Sequence, residues 1–177
     1  MKLGHVLAAC ICIGLSGLQM AAAKQTCVGA QSSLSIQRFQ DNGDGTVTDL
    51  ESKLVWMRCA DGQKWGDQRC VGAAQAYVWS EAQRHATRIS RDGTAFYNDW
   101  RVPSLRELAT ITDRGCKNPR TNLAVFPDTP AAPFWSSTPR VGNAEGERAM
   151  ALSFGHEGVM VAAKDERFHL RLVRTGP

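Results

Sequence analysis

What the sequence lacks narrows its function first. It has no GxSxG elbow, no HExxH, no Gly-rich phosphate loop and no dinucleotide fingerprint. The reading is therefore a non-enzymatic protein with no catalytic residues, no cofactor and no metal. His156, Glu157 and His169 are the one grouping considered for a metal, and they read as a turn and a strand face instead. Close CxxC pairs are also missing, so structural zinc is excluded. There are no internal repeats, no low-complexity tract and no collagen-like Gly-X-Y stretch. Lysine is scarce, with six against 15 arginines. Arginine's planar fork suits carboxylate, sulfate and phosphate, although high GC content gives the same bias. A formal charge of +4 is too small for a nucleic-acid footprint.

What is present at the start is an export signal. Lys2 and His5 precede an apolar run over 6–18, and Ala21, Ala22 and Ala23 offer small residues to a peptidase, with cleavage expected after Ala23. The run is shorter than the ~20 apolar residues a spanning helix needs, so no stable membrane insertion follows cleavage. Leu7 to Cys10 spells a lipoprotein-type box, but too few apolar residues precede it. Loss of Lys2 leaves 20 basic against 17 acidic residues, a formal +3. The expected destination is the periplasm, the cell surface or the exterior. Of six cysteines, Cys10 and Cys12 leave with the signal, and four remain: Cys27, Cys59, Cys70 and Cys116. An even number in an oxidising compartment reads as two disulfides. Three pairings are open; the favoured one joins Cys59 to Cys70 across a short polar loop and Cys27 to Cys116 across a long span.

The rest divides into a polar lead-in over 24–37 and one domain over 38–177. Ile36 and Phe39 lead into the turn-rich DNGDG, then TVTD and KLVWMR, which read as antiparallel strands. A helix is predicted over 80–90, with Ser80 and Gln83 as a capping box and a stripe of Trp79, Ala82, Ala86 and Ile89. A second is predicted after Pro103, with Ser104 and Glu107 as its capping box and Leu105, Leu108, Ala109 and Thr112 as its buried stripe. An ordered loop over 118–133 precedes the strands FWSSTP, AMALSF, GVMVAA and FHLRLVR, with a hairpin turn over 155–158. The class is α+β.

The strings RFQDNGDGTVTDLESKLVWMRC, DWRVPSLRELATI, FPDTPAAPFWSSTP and HLRLVR resemble the recurring motifs of the Lcl C-terminal domain family, over residues 38–174. That family is named for the C-terminal domain of a bacterial collagen-like adhesin. The resemblance implies a C-type lectin-like fold and adhesion through sulfated glycosaminoglycans, which the adhesin's domain binds as a trimer. This chain departs from the adhesin in lacking the collagen-like stretch.

Candidate sites are few. The segment 40–51, QDNGDGTVTDLE, approaches a calcium loop, but Gln40 stands at the first ligand position and strands flank it, so a hairpin turn is expected. Glu-Pro-Asn and Trp-Asn-Asp strings are absent, which argues against calcium-dependent sugar binding. Among the five tryptophans most should be core, whereas Trp65, in the polar cysteine loop, is the candidate for exposure and ligand contact. Asp99 and Arg101, flanking Trp100, are expected to pair with each other. Arg84, Arg88 and Arg91 share one helix face. Alternation on the last strand points Phe168, Leu170 and Leu172 inward and Arg167, His169 and Arg171 outward. These two rows are the candidate surface for anionic polysaccharide. Two functions stay open: an exported binding or adhesion module for sulfated or other anionic polysaccharide, and a structural part of an envelope or pilus assembly with a protein partner.

Overall fold

The computed structural model describes residues 24–28, 32–140 and 146–176. The proposed signal peptide lies outside them. No helix among the described residues is long and apolar enough to cross a membrane.

The elements run β1 (Thr26–Cys27), β2 (Phe39–Asp41), β3 (Thr46–Asp49), β4 (Leu54–Met57), β5 (Lys64–Gly66), β6 (Arg69–Val71), β7 (Ala76–Tyr77), α1 (Trp79–Asp92) and α2 (Leu105–Thr110). They continue with β8 (Cys116–Lys117), β9 (Pro133–Pro139), β10 (Arg148–Ser153), β11 (Val159–Ala163), β12 (Phe168–His169) and β13 (Val173–Thr175). A four-stranded sheet has the order β13-β4-β3-β2, and a five-stranded one the order β11-β10-β9-β12-β7. Every pairing is antiparallel except that of β12 with β9. Two helices on mostly antiparallel strands make the fold α+β.

Turn chemistry sets the first hairpin. Asp41 accepts from Gly43 N, and Asp44 accepts from both the backbone and the hydroxyl of Thr46. Arg58 takes the other oxygen of Asp41 at 2.7 Å. The carboxylates of the calcium-like segment thus serve the β2–β3 turn and its neighbours. Gly45 is needed for two reasons: its φ is +85°, and a Cβ there would lie 2.8 Å from Cγ of Trp65.

Both helices form, with corrections to their ends and faces. Helix α1 starts one residue early because extended Val78 is its N-cap, and Glu81 Oε2 accepts the Val78 N–H at 3.3 Å. The expected Ser80 and Gln83 box does not cap it, since Ser80 already lies inside the first turn. Gly93, at φ 74°, ends it in the left-handed conformation. Ala82 and Ala86 are buried, with Trp79 and Ile89 packed beside them. At α2 the capping box forms as expected: Ser104 Oγ accepts from Glu107 N, and Glu107 Oε2 accepts from Ser104 N at 2.7 Å. Its buried face, however, is Leu108 and Ile111, while Ala109 is exposed. The helix ends at Thr110, too soon for the longer stripe to hold.

Asp99 and Arg101 do not pair. Arg101 makes a two-pronged ion pair with Glu107 at 2.6 and 2.8 Å, and Asp99 takes Arg174 at 2.6 Å. Glu107 therefore caps α2 and holds the loop before it, and the Arg101 guanidinium keeps its carboxyl below the ordinary range.

Two disulfides close the fold in the favoured pairing, Cys27–Cys116 and Cys59–Cys70. The first joins β1 to β8, where the two cysteines face each other in register. Asp113 fastens the lead-in beside it. Burial would raise this carboxyl, but it accepts bonds from Ser32, Ser33, Leu34 N and Gly115 N, which hold it below the ordinary range.

The last predicted strand is two strands, and this decides the fate of one arginine row. β12 belongs to the five-stranded sheet and β13 to the four-stranded one. Residues 170–172 cross from sheet to sheet, with Leu170 carbonyl accepting from Asp61 N and Leu172 carbonyl from Met57 N. Protein lies on both sides of the crossing. Leu170, Arg171 and Leu172 are all buried, so Arg171 does not face solvent. Its guanidinium donates to the carbonyls of Met57 and Arg58 and to Thr129 Oγ1, and stacks over Phe126 at 4.9 Å. Burial pushes its pKa down to about 9, so it is still charged at neutral pH.

Candidate functional site

The pairing of β7 with β12 builds the site. Phe168 sits opposite Tyr77, and α1 begins two residues after Tyr77. Arg167, just before β12, is thereby laid against the first turns of α1. Its Nη2 donates to the Ala76 carbonyl at 2.7 Å, and its Nη1 lies 3.4 Å from Glu81 Oε2. Helical spacing brings Arg84 and Arg88 to the same side. The result is a cleft of about 380 Å³ lined by Tyr77, Glu81, Arg84, His85, Arg88 and Arg167.

The two arginine rows therefore meet, in part. Arg84, Arg88 and Arg167 line one cleft. Arg91 is exposed further along α1 and pairs with its neighbour Asp92 at 3.2 Å. His169 is half-buried; its Nδ1 lies 2.9 Å from the Gln75 carbonyl and its ring tilts against Phe134 at 5.4 Å, which corrects the expectation of an outward group. Arg171 is inside the fold. Trp65 is half-buried, with the Arg58 guanidinium over its ring at 4.1 Å and Gly45 under it, so it is packed where ligand contact was expected.

Behind the cationic rim lies a polar floor. Tyr77 OH donates to Asp61 Oδ2 at 2.5 Å, and His85 Nε2 lies 2.9 Å from the same oxygen. The Tyr77 and His85 rings stack at 4.9 Å. Burial, and then the Asp61 carboxylate, raise the Tyr77 phenol well above its ordinary range, so it remains a donor. Arg88 Nη2 reaches His85 Nδ1 at 2.6 Å. Three guanidiniums against two carboxylates, Glu81 at the rim and Asp61 in the floor, leave the cleft with a net positive charge, and Arg84 has no ion-pair partner among the described residues. Forked donors around a concave surface can bind carboxylate or sulfate through paired, charge-assisted hydrogen bonds.

Sequence reasoning missed Asp61, Tyr77, Glu81 and His85. A signal for one existed, since His85 and Arg88 stand at i and i+3 on the face that already carried Arg84. Tyr77 and Asp61 carried none, because they reach the cleft only through the β7–β12 pairing and the turn after β4. Among the described residues no group of three or more His, Cys, Asp or Glu side chains is placed to hold a metal ion.

A family model, the Lcl C-terminal domain, matches residues 45–174, well over half of the chain. The chain belongs to the Lcl C-terminal domain family. All six residues lining the cleft fall within the matched Lcl C-terminal domain, as do Asp61 and the Cys59–Cys70 bridge, whereas Cys27 and the lead-in precede it. Comparison with curated proteins found no match.

Proposed function

We propose that this Lcl C-terminal domain is a non-enzymatic binding module of the cell exterior or envelope that holds an anionic polysaccharide, sulfated or uronic, in the cleft between α1 and β12. The observation that carries the reading is the meeting of Arg84, Arg88 and Arg167, from two elements far apart in sequence, around one concave surface. Family membership and the two disulfides support an exported domain. A C-type lectin-like ancestry and adhesion to sulfated glycans, both implied by the family resemblance, belong to this reading. The reading calls on no calcium: in the calcium-like segment Asp41 accepts from Gly43 N and pairs with Arg58, and Asp44 accepts from Thr46, so these carboxylates serve the hairpin.

Heparin chromatography in a salt gradient tests the reading. Exposed charge pairs are screened over about 8 Å at physiological ionic strength, so binding should weaken steeply with salt. Wild type should elute late, Arg84→Ala with Arg88→Ala much earlier, and Arg167→Ala in between because Glu81 already engages it. Co-elution of all three at low salt would refute the reading and leave the alternative, a protein partner in an envelope assembly.

A further inference from the structure

We infer that His85 is a further binding residue of the cleft, one whose proton decides whether Arg88 is held against the wall or freed toward the ligand. The inference rests on the anion-binding reading above. A guanidinium can only donate, so the 2.6 Å contact from Arg88 Nη2 requires a lone pair on His85 Nδ1. The ring proton is then on Nε2, where it donates to Asp61 Oδ2 at 2.9 Å. His85 is thus neutral in this arrangement, and its tautomer is fixed from both sides. Tyr77, stacked on the ring and donating to the same Asp61 oxygen, keeps the imidazole from turning away.

A second ring proton breaks this arrangement. Nδ1–H would point at the N–H of Arg88, donor against donor and cation against cation, so Arg88 must leave. Asp61 from the turn after β4, Tyr77 from β7 and Arg88 from α1 touch His85, and Glu81 and Arg84 from α1 and Arg167 from the segment before β12 line the cleft with it. Asp61 stays bonded to Nε2, so the released arginine has the open cleft as its place to go. Protonation therefore adds one charge to the floor of the cleft and frees another at its rim, and an anion should bind more tightly in acid. Histidine is the side chain that ordinarily changes charge between pH 5 and 8. His169, held by Gln75 outside the cleft, takes no part.

Two readouts keep this inference separable from the function it rests on. The first is heparin affinity at pH 8 and pH 5.5 at constant ionic strength. Wild type should bind roughly fivefold or more tightly at pH 5.5, His169→Gln should keep that gain, and His85→Gln should lose it. The second needs no ligand: nitrogen-15 NMR of the wild-type imidazole and guanidinium groups across the same range. His85 should show the Nε2–H tautomer at pH 8, and the Arg88 side-chain resonances should move with the His85 titration. Absence of heparin binding at both pH values would overturn the function, with the NMR still deciding the switch. Arg88 resonances that ignore His85, or a pH gain that survives in His85→Gln, would overturn the switch.

Discussion

Two arginines of the same apparent standing end in opposite places. Arg88 lies on the outer face of α1 and lines an open cleft, whereas Arg171, between β12 and β13, is wholly buried. Both follow a sound periodicity. A period establishes which side chains share a face, and it does not say what lies against that face. Helix α1 has a solvent side because its inward stripe is confined to Trp79, Ala82, Ala86 and Ile89. Residues 170–172 have none, because the chain there passes between two sheets. The interior arginine became a structural clamp on backbone carbonyls, whereas Arg84, Arg88 and Arg167 line the rim of an open cleft.

The contrast predicts stability effects that fall steeply from the interior outward. Arg171→Ala opens a cavity and leaves the Met57 and Arg58 carbonyls and the Thr129 hydroxyl without a donor, so a loss of about 3–5 kcal/mol is expected from urea unfolding. A change within ~0.5 kcal/mol, usual for a surface site, would place Arg171 outside after all. Gly45→Ala should cost about 1–3 kcal/mol, since the new Cβ meets Trp65 and the positive φ is strained. Restoring stability by pairing it with Trp65→Ala, as measured in a double-mutant cycle, would show that the clash dominates.

Acid sharpens the same comparison. Burial tends to raise the Asp49 carboxyl, but Arg38, Ser52 and the Glu51 N–H hold it below its ordinary value of 3.8. A carboxyl depressed on folding contributes stability that is complete above its unfolded pKa and is lost as pH falls through the lower folded one. Asp49→Asn should therefore cost about 2 kcal/mol at pH 7, and the gap to wild type should narrow on acidification from pH 4 downward. A gap that is constant between pH 7 and pH 2 would contradict the assignment.

Much of this fold was legible in the chain. The DNGDG hairpin, the Ser104 and Glu107 cap and both helices were readable from turn residues, caps and apolar periodicity, whereas cysteine spacing left three pairings open and only favoured the one observed. The failures share one cause, long-range packing. Nothing local marks residue 170 as the point where the last strand changes sheets, and nothing local shows Arg58 covering Trp65. The Ser80 and Gln83 pattern misled because a valine, lacking any side-chain acceptor, still caps α1 through Glu81. Half of the cleft was visible, since periodicity alone set Arg84 and Arg88 on one helix face and turned Arg167 outward. Asp61 and Tyr77 were not, because the β7–β12 pairing and the turn after β4 bring them there, and His85 was overlooked although it shares the α1 face with Arg88.

Smallest in stability and largest in function is the change at the cleft itself. Arg84→Ala with Arg88→Ala should alter unfolding by no more than ~0.5 kcal/mol for each residue, as exposed sites do. The decisive measurement is heparin affinity of that double variant beside Arg106→Ala with Arg114→Ala, a pair equally exposed and equal in charge lost, but on and after α2. The cleft pair should weaken binding at least roughly tenfold and the control pair less than about twofold, because forked contacts in one concave site outweigh diffuse charge. Equal losses in the two variants would show that heparin senses only net charge, and that the cleft is not a binding site.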